Sequence, residues 1–364
     1  MNKVRIGYSE MTAFIIIMIV MKIFIGYPRI ITQQGATAAW LLPLFSGLLA
    51  IGLWLLIMRL LERFPGESLT KITELLLGPV LGVAVNIVVV TFFCIKTALL
   101  LRVFCEATTL TILTETPLSA IALLYLFGAT LTVYHGIEAI SRSASIALPY
   151  ILFSILTVLV VLYPYYDFKK LLPIMGLGGW PLLKNSLVGI SSFGEVIALA
   201  YLISFLPFDK RKIRKIGVKS ISISMFLFTI FIAVYLMVFV YPTSTETFVP
   251  IYQLTRSIFL GHYLQRVEAF FITFAAFTAF LRLAMGLFVT LHVLKDTLKL
   301  PSYHPLLAVF SLLFFTFAFT PKDMVQSVYV ESLLGMNYGW IAFVLPLLLY
   351  LIALLRKKGE NRVK

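Results

Sequence analysis

Charged residues are scarce in this 364-residue chain. They make up 13% of the residues, whereas 60% are hydrophobic, and the mean hydropathy is +1.00. The charged fraction is about half that of an ordinary soluble domain, and no water-soluble core could absorb so much apolar surface. The composition therefore excludes a soluble globular domain and favours a membrane protein.

Cysteine and histidine are also rare, with two and four residues respectively. Cys94 and Cys105 are predicted to lie on one helix, roughly 16 Å apart at 1.5 Å per residue, so they cannot bridge each other. The histidines are scattered over different segments without a cysteine or carboxylate at metal-ligand spacing. The sequence predicts no disulfide, no metal site, no cofactor, no catalytic residues and no enzymatic activity.

Long apolar stretches divide the chain, each near the length needed to cross a hydrocarbon layer of roughly 30 Å. The first has no small-residue cleavage site and is expected to be retained rather than removed as a signal peptide. The sequence thus predicts an all-α polytopic membrane protein, in which residues 1–364 form a single transmembrane domain. The ten predicted segments are Met11–Ile31, Ala38–Leu61, Val80–Phe104, Leu118–Tyr134, Ala144–Tyr163, Asn185–Leu206, Val218–Tyr241, Leu264–Leu294, His304–Phe319 and Tyr338–Leu355.

Lysine and arginine are distributed unevenly between the predicted loops, which sets the expected orientation. With the N-terminus in the cytoplasm, the inner loops collect most of them, including the Lys210–Lys219 cluster and the tail from Arg356 to Lys364. Both termini are therefore predicted to be cytoplasmic. The net charge of +14 lies mostly beside the membrane, which favours anionic lipids over nucleic acid as a partner. These basic runs serve most simply as topology determinants, with docking to a cytoplasmic protein as the alternative.

Lys22 lies near the middle of the first apolar segment, and Gly26-Tyr27-Pro28-Arg29 interrupts the same segment four residues later. An ammonium group at that depth is costly and normally faces a cavity or a partner rather than lipid. Irregular backbone is tolerated there only where protein or water covers it. This stretch therefore predicts a polar site inside the membrane. Its candidate ligand-binding residues are Met21, Lys22, Ile23, Gly26 and Tyr27.

A second interruption lies in the sixth segment, where Ser191, Ser192, Phe193, Gly194 and Glu195 follow one another. Close helix packing by small residues is one interpretation, but a carboxylate halfway across favours a site. Segments one and six correspond if ten helices form two halves of five, and paired broken helices indicate a midplane binding site in inverted-repeat transporters. Exposed helix ends offer N–H and C=O groups, which suits an amino acid or a similar zwitterion.

Several short motifs, in chain order, match the pattern of a known family. They are Arg63–Leu69 (RFPGESL) with Leu77–Gly82 (LGPVLG), Leu113–Leu118 (LTETPL), Gly136–Arg142 (GIEAISR), Phe193–Glu195 (FGE) and Leu264–Ala269 (LQRVEA). From Ser9 to Leu355 the chain resembles the B subunits of bacterial spore germinant receptors. The resemblance implies a ten-helix fold of the amino acid/polyamine/organocation transporter superfamily. That fold is LeuT-like, with inverted repeats near 9–165 and 183–355 and broken helices one and six.

The same resemblance implies a location and partners. It implies residence in the spore inner membrane, recognition of a small nutrient germinant, and a complex with an A-type membrane subunit and a C-type lipoprotein. The family's first helix often carries a Gly-x-Gly break where this chain has Met21-Lys22-Ile23. Lys22 then either enters the ligand pocket or stands where related transporters hold a coupling cation.

Ion pairing is expected at the centre of the implied fold, where segments one and six pack together. Glu195 is the expected partner of Lys22, and a purely structural pair is the alternative to a ligand-binding role. The third helix lines the site in that fold, so Lys96 and Thr97 are candidates for the pocket wall.

In segment eight, Thr278 is a further ligand-binding candidate. Arg282 lies in mid-span and is predicted to act in gating or ion pairing, together with Lys22, Lys96 and Glu195.

Three functions remain open from the sequence. The first is a signalling subunit that binds a nutrient and is read by neighbouring subunits. The second is a secondary transporter for an amino acid, either coupled to protons through Glu195 or uncoupled. The third is a scaffold with a vestigial pocket, which the buried charges argue against.

Overall fold

The regular structure of this protein is helical throughout the part described by the computed structural model, residues 6–246, 249–256 and 267–358. Short 3-10 helices and one π-helical turn, Trp340–Val344, join or interrupt the α-helices. The α-helices are α1 (Tyr8–Val20), α2 (Tyr27–Gly35), α3 (Leu41–Arg63), α4 (Leu69–Leu77), α5 (Pro79–Thr111), α6 (Leu118–Tyr134), α7 (Gly136–Val161), α8 (Gly179–Gly189), α9 (Ala198–Tyr201), α10 (Lys210–Val238), α11 (Pro250–Arg256), α12 (Val267–Thr297), α13 (Leu306–Ala318), α14 (Met324–Gly339) and α15 (Leu345–Leu355).

Ten spans can be followed along the described ranges, in the order predicted from the sequence. Seven are single stretches long and apolar enough to cross a membrane, and α1 with α2 forms an eighth that is bent by 69°. The remaining two, α6 and α13, are shorter apolar helices. In chain order, spans one to ten are α1 with α2, α3, α5, α6, α7, α8 continued through α9, α10, α12, α13, and α14 continued through α15.

The tenth span begins earlier than its apolar pattern suggests. The predicted segment starts at Tyr338, whereas the helical span starts at Val325. Polar residues in its first half, among them Glu331, Ser332 and Asn337, lower the local hydropathy without breaking the helix. This difference matters because Glu331, in the first half of the span, lines the same cavity as Lys22 and Lys96.

The centre of the bundle is formed by α1, which is buried on all sides. It packs against α7 and α10, and residues Ala13–Val20 are all buried. A span that faces lipid can also be hydrophobic all round, so it is the burial of these side chains that places α1 in the protein interior. By contrast, α6 and α7 expose large apolar side chains such as Phe127 and Phe153. The spans therefore form a core helix surrounded by helices with an apolar outer face.

Both described ends of the chain lie on one side of the bundle, here called the terminal face. The Ile6 amide donates to the Phe205 carbonyl (3.0 Å), and Arg63 Nη1 donates to the Lys358 carbonyl (3.4 Å). Gly66, just after span two, and Phe205 border one cavity there. The terminal face also carries the basic start of α10, where Asp209 caps the helix by accepting from backbone amides.

Candidate ligand-binding site

The first span breaks at the place where the sequence has glycine and proline. A 3-10 turn, Met21–Phe24, leads to Ile25 in an extended conformation, and α2 then starts at Tyr27. Proline cannot donate to the helical ladder and its ring obstructs the preceding turn, but it is well accommodated in the first turn of a new helix. Pro28 occupies that position. The break sets the 69° bend and places Lys22 beside it.

The sixth span changes geometry at the matching depth. Residues Ile190–Ile197 form a 3-10 helix between α8 and α9. A 3-10 stretch inside a longer helix has poorer hydrogen-bond geometry and often marks a functional segment. The Ser192 carbonyl in this stretch accepts from Lys22 Nζ at 2.6 Å. The two interrupted spans are therefore joined directly at their irregular segments.

Glu195 is the centre of a buried charge cluster that draws on four spans. Its Oε2 accepts from Lys22 Nζ at 2.6 Å, and its Oε1 accepts from Lys96 Nζ at 2.7 Å. Arg282 Nη2 lies 3.5 Å from the same Oε1. The carboxylate has no solvent exposure, and the three cationic side chains are 18%, 12% and 7% exposed. One carboxylate thus serves three cations, and the ion pair predicted between Lys22 and Glu195 is present.

Arg282 also ties span eight to the end of the first half of span one. Its Nε donates to the Met18 carbonyl at 3.0 Å. Met18 lies in the last turn of α1, where carbonyl groups begin to lose intrahelical partners. A guanidinium group at a helix C-terminus satisfies such carbonyls and complements the helix dipole. Arg282 is therefore held at two points of its guanidinium, by Glu195 through Nη2 and by the Met18 carbonyl through Nε.

An aromatic ring covers Lys96. Its Nζ lies 3.5 Å from the centroid of the Tyr338 ring, within the range of a cation–π interaction. The ring reaches this position because Gly194 has no side chain, since a Cβ there would lie 2.5 Å from two ring carbons of Tyr338. Phe92, one helical turn before Lys96, also stacks with this ring, with centroids 5.4 Å apart. Gly194 thus allows the Tyr338 ring to approach the sixth span closely enough to cover Lys96.

A cavity of about 80 Å³ adjoins the cluster on the side away from the terminal face. A single buried water needs roughly 10–15 Å³ of such space, so the cavity has room for a molecule of several heavy atoms. It is lined by Lys22, Ile25, Gly26, Tyr27, Ile30, Ile31, Gln34, Lys96, Val188, Gly189, Ser191, Ser192, Glu331, Ser332 and Gly335. Ammonium, carboxylate, hydroxyl and amide groups therefore face one small space.

The residues predicted for the site divide into those that line this cavity and those that pack behind it. Lys22, Gly26, Tyr27, Lys96, Ser191 and Ser192 line it. Glu195 and Arg282 do not line it. Glu195 is bonded to both of its lysines, and Arg282 lies against Glu195.

The other predicted residues are buried in helix packing and do not reach the cavity. Met21 and Ile23 belong to the core, and Phe193 packs its ring 5.7 Å from that of Phe228. Thr278 donates to the Phe274 carbonyl of its own helix at 2.6 Å. Thr97 packs against Gly286, where a Cβ would lie 2.5 Å from its Oγ1. These residues support the site from behind.

Sequence reasoning missed Glu331, Ser332, Gln34 and Tyr338. Glu331 lines the same cavity as Lys22 and Lys96. Their spacing could have indicated a shared position, because Glu331 and Tyr338 are seven residues apart and so lie on one face of a helix. This spacing was not recognised because the polar first half of the tenth span has the composition of a loop rather than of a membrane helix.

A second cavity, about 1230 Å³, opens at the terminal face. Gly66, Glu67, Ser68, Gly136 and Glu138 from the sequence motifs line it. Its charges are largely matched: Lys71 Nζ lies 2.7 Å from Glu67 Oε2, Lys295 Nζ lies 3.1 Å from Asp296 Oδ1, and Lys299 Nζ lies 3.7 Å from Glu74 Oε2.

Aromatic side chains form the inner wall of this large cavity. Phe205 and Phe288 lie against His292, with ring centroids 4.8 and 5.8 Å away. Phe288 is six residues beyond Arg282 in α12, about 9 Å along the helix. These rings thus lie between Arg282, in the cluster, and the terminal face.

The family model described as "Spore germination protein", the spore permease family, matches residues 5–327. Three curated proteins of Bacillus subtilis (strain 168) are similar over nearly their whole length. Spore germination protein YndE is 23% identical over 361 residues, with 98% of each chain covered. Spore germination protein B2 is 22% identical over 342 residues, covering 91% of this chain and 90% of the relative. Spore germination protein KB is 23% identical over 381 residues, covering 100% and 98%.

Two solved transporters have a similar fold. MhsT, solved in complex with L-phenylalanine, superposes with a TM-score of 0.70 at 15% identity, covering 97% of this chain and 90% of its own. Mhp1, a nucleobase-cation-symport-1 family transporter solved with bromovinylhydantoin, gives a TM-score of 0.68 at 12% identity, covering 92% and 76%. These likenesses establish the predicted LeuT-like fold. Together with the apolar spans, this fold supports a multi-pass membrane protein.

Proposed function

Because the chain belongs to the spore germination permease family, we propose that it is the B-type subunit of a nutrient germinant receptor. In this role it binds a small molecule, an amino acid, in the central cavity and passes the bound state to neighbouring subunits. The observation that carries the proposal is the cavity between two interrupted spans, bordered by Lys22, Lys96 and Glu331.

The groups around the cavity suit the two ends of an amino acid. Ammonium groups of Lys22 and Lys96 provide donors for a carboxylate, and a charge-assisted hydrogen bond is about twice as strong as a neutral one. The carboxylate of Glu331, with Ser332 beside it, provides acceptors for an ammonium group. Tyr27, Ser191 and Ser192 add polar groups that fix orientation.

Signalling requires that ligand binding change the relative stability of two arrangements of the helices. The two irregular segments are suited to this, because Lys22 links the break of span one to both the carbonyl and the carboxylate of span six. A ligand that competes for Lys22 would alter that link. Arg282 would carry the change to α1 and toward the terminal face through Met18.

The surroundings follow from the same proposal. The protein would reside in the spore inner membrane with the terminal face in the cytoplasm, as the excess of lysine and arginine on that face favours. Its partners would be an A-type membrane subunit and a C-type lipoprotein. Anionic lipids would contact the basic run from Lys210 to Lys215.

Amino-acid transport is the second candidate. The fold is shared with transporters, and cavities lie on both sides of the central cluster. In this case Arg282 and the rings of Phe205 and Phe288 would form the gate toward the terminal face.

Reconstitution separates the two functions. Purified protein would be placed in liposomes and given radiolabelled amino acids, with binding and internal accumulation measured separately. A receptor subunit is expected to bind without flux. Saturable accumulation inside the liposomes would instead establish a transporter. Absence of binding for every common amino acid would remove the amino-acid ligand from both.

A spore experiment tests the signalling part. Spores lacking this chain are expected to lose the germination response to its nutrient, and Lys22→Met is expected to fail to restore it at a normal protein level. Lys184→Met, an exposed lysine on α8, is the matched control and is expected to restore it.

A further inference from the structure

The charged groups at the centre of the bundle do not balance. Lys22 and Lys96 are each bonded to Glu195, Arg282 lies 3.5 Å from the same carboxylate, and Glu331 lines the same cavity as the two lysines. With every side chain in its ordinary ionised form at neutral pH, this set carries a net charge of +1. Uncompensated charge is costly in a membrane interior. The site therefore favours a ligand that supplies one negative charge.

The unused hydrogen-bonding capacity shows where that charge would go. A lysine ammonium has three N–H donors. Lys22 uses two of them, on the Ser192 carbonyl and Glu195 Oε2, and Lys96 uses one, on Glu195 Oε1. Both lysines border the cavity, whereas Glu195 and Arg282 do not. The donors that remain for a ligand therefore belong to two neighbouring ammonium groups.

Glu331 is placed to receive the opposite charge. It lines the cavity and has no ion pair within 4.0 Å among the residues described by the structure. A ligand with an ammonium group would pair with it, and a ligand without one would leave it as it is. In both cases the set of charges reaches neutrality only when the ligand itself carries a net charge of −1.

We infer that the central cavity selects small carboxylates of net charge −1, whose carboxylate lies between Lys22 and Lys96. This inference rests on the proposed function and narrows its ligand. An acidic amino acid meets the requirement with two carboxylates and one ammonium group. A 2-hydroxy acid meets it with one carboxylate and no ammonium group. A neutral zwitterion leaves one positive charge uncompensated.

Two matched ligand pairs test the inference on the purified full-length protein. L-aspartate and L-asparagine have nearly the same shape but net charges of −1 and 0, and L-lactate and L-alanine have the same relation. Dissociation constants measured by isothermal titration calorimetry are expected to favour the anionic member at least tenfold in one of the pairs. Equal affinities within both pairs, or preference for the zwitterions, would overturn the inference.

Substitutions on the two sides of the cavity make the test specific to charge. Lys96→Gln makes the set neutral and is expected to abolish the preference for the anionic ligand. Glu331→Gln raises the net charge of the set to +2 and is expected to increase the preference for the anionic ligand. Lys184→Gln, an exposed lysine of the same span as Glu195, is the control and is expected to leave the preference unchanged. A shift of the same size in the control would contradict the assignment to this cavity.

The same variants identify which anion is bound. If an ammonium group pairs with Glu331, Glu331→Gln weakens L-aspartate relative to L-lactate. If the ligand is a hydroxy acid, L-lactate is bound tightly and is not weakened by this substitution. If the affinity does not depend on the net charge of the ligand, this inference is wrong, but the proposed amino-acid sensing is not contradicted. Failure of all four ligands and of every other common amino acid removes both.

Discussion

The central cavity holds about 80 Å³, whereas the cavity at the terminal face holds about 1230 Å³. In the large one, Lys71, Lys295 and Lys299 each lie within 4.0 Å of a carboxylate of their own. In the small one, Lys22 and Lys96 share one carboxylate with an arginine. Balanced pairs near solvent contribute little free energy, but incompletely compensated charge at depth is costly. Charge balance, rather than volume, therefore distinguishes the proposed ligand site from the terminal cavity.

Removing the shared carboxylate is expected to give the largest difference in stability between the two regions. Glu195→Gln leaves three buried cations without their shared carboxylate and is expected to destabilise the protein by about 3–5 kcal/mol. Urea unfolding of the detergent-solubilised protein would measure this change. Glu74→Gln removes a carboxylate from the terminal cavity and is expected to change stability by less than about 0.5 kcal/mol. Similar losses in both variants would erase the proposed difference between the regions.

The shared carboxylate also predicts an asymmetry within the cluster. Lys22→Met leaves Glu195 with two cations, so its cost is expected to be smaller than that of Glu195→Gln. In the double variant one fewer cation is left unpaired, and a coupling of about 0.5–3 kcal/mol is expected between the two substitutions. A double-mutant cycle on unfolding free energies measures it. Strict additivity would show that the two side chains do not act as a pair.

Close packing at Gly194 offers a test without any change of charge. Gly194→Ala places a methyl group against the Tyr338 ring and is expected to cost about 1–3 kcal/mol through overpacking. A Cβ added at Gly52 in α3 would meet no atom within 4 Å, so Gly52→Ala serves as the control. Thermal unfolding should separate the two variants. A tolerated Gly194→Ala would contradict the role of this glycine in placing the tyrosine.

The cation–π contact predicts a smaller effect at Tyr338. Tyr338→Phe keeps the ring over Lys96 and is expected to be nearly neutral, whereas Tyr338→Leu removes it and is expected to cost about 2 kcal/mol. Both losses are measurable by unfolding in detergent. If phenylalanine and leucine are equally destabilising, the hydroxyl group rather than the ring is what the site requires.

The interrupted spans were accessible from sequence because each interruption has a local chemical cause. Pro28 ends one helical ladder and starts another, and Lys22 and Glu195 stand out against apolar neighbours. The four residues of the cluster were predicted together for gating or ion pairing. That Glu195 serves all three cations could not be predicted, because it depends on how spans three and eight rotate about their axes. For the same reason Thr97 and Thr278 were expected at the pocket but pack behind it.

The tenth span shows a different limit. Glu331 lies in a helical half whose hydropathy is low, so a search for apolar stretches places it outside the membrane. Its depth comes from packing against spans one, three and six, which only the assembled fold provides. A polar residue that completes a buried site is the kind of residue that such a search discards.

The most direct test compares protection of the two cavities. Ser332→Cys places a thiol in the central cavity, and Ser302→Cys places one in the terminal cavity, while the native Cys94 and Cys105 are buried. Maleimide labelling of the purified protein would be timed with and without a mixture of the twenty common L-amino acids and L-lactate. The mixture is expected to slow labelling of Ser332→Cys and to leave Ser302→Cys unchanged. Protection of Ser302→Cys alone, or of neither thiol, would contradict the placement of the ligand beside Lys22, Lys96 and Glu331.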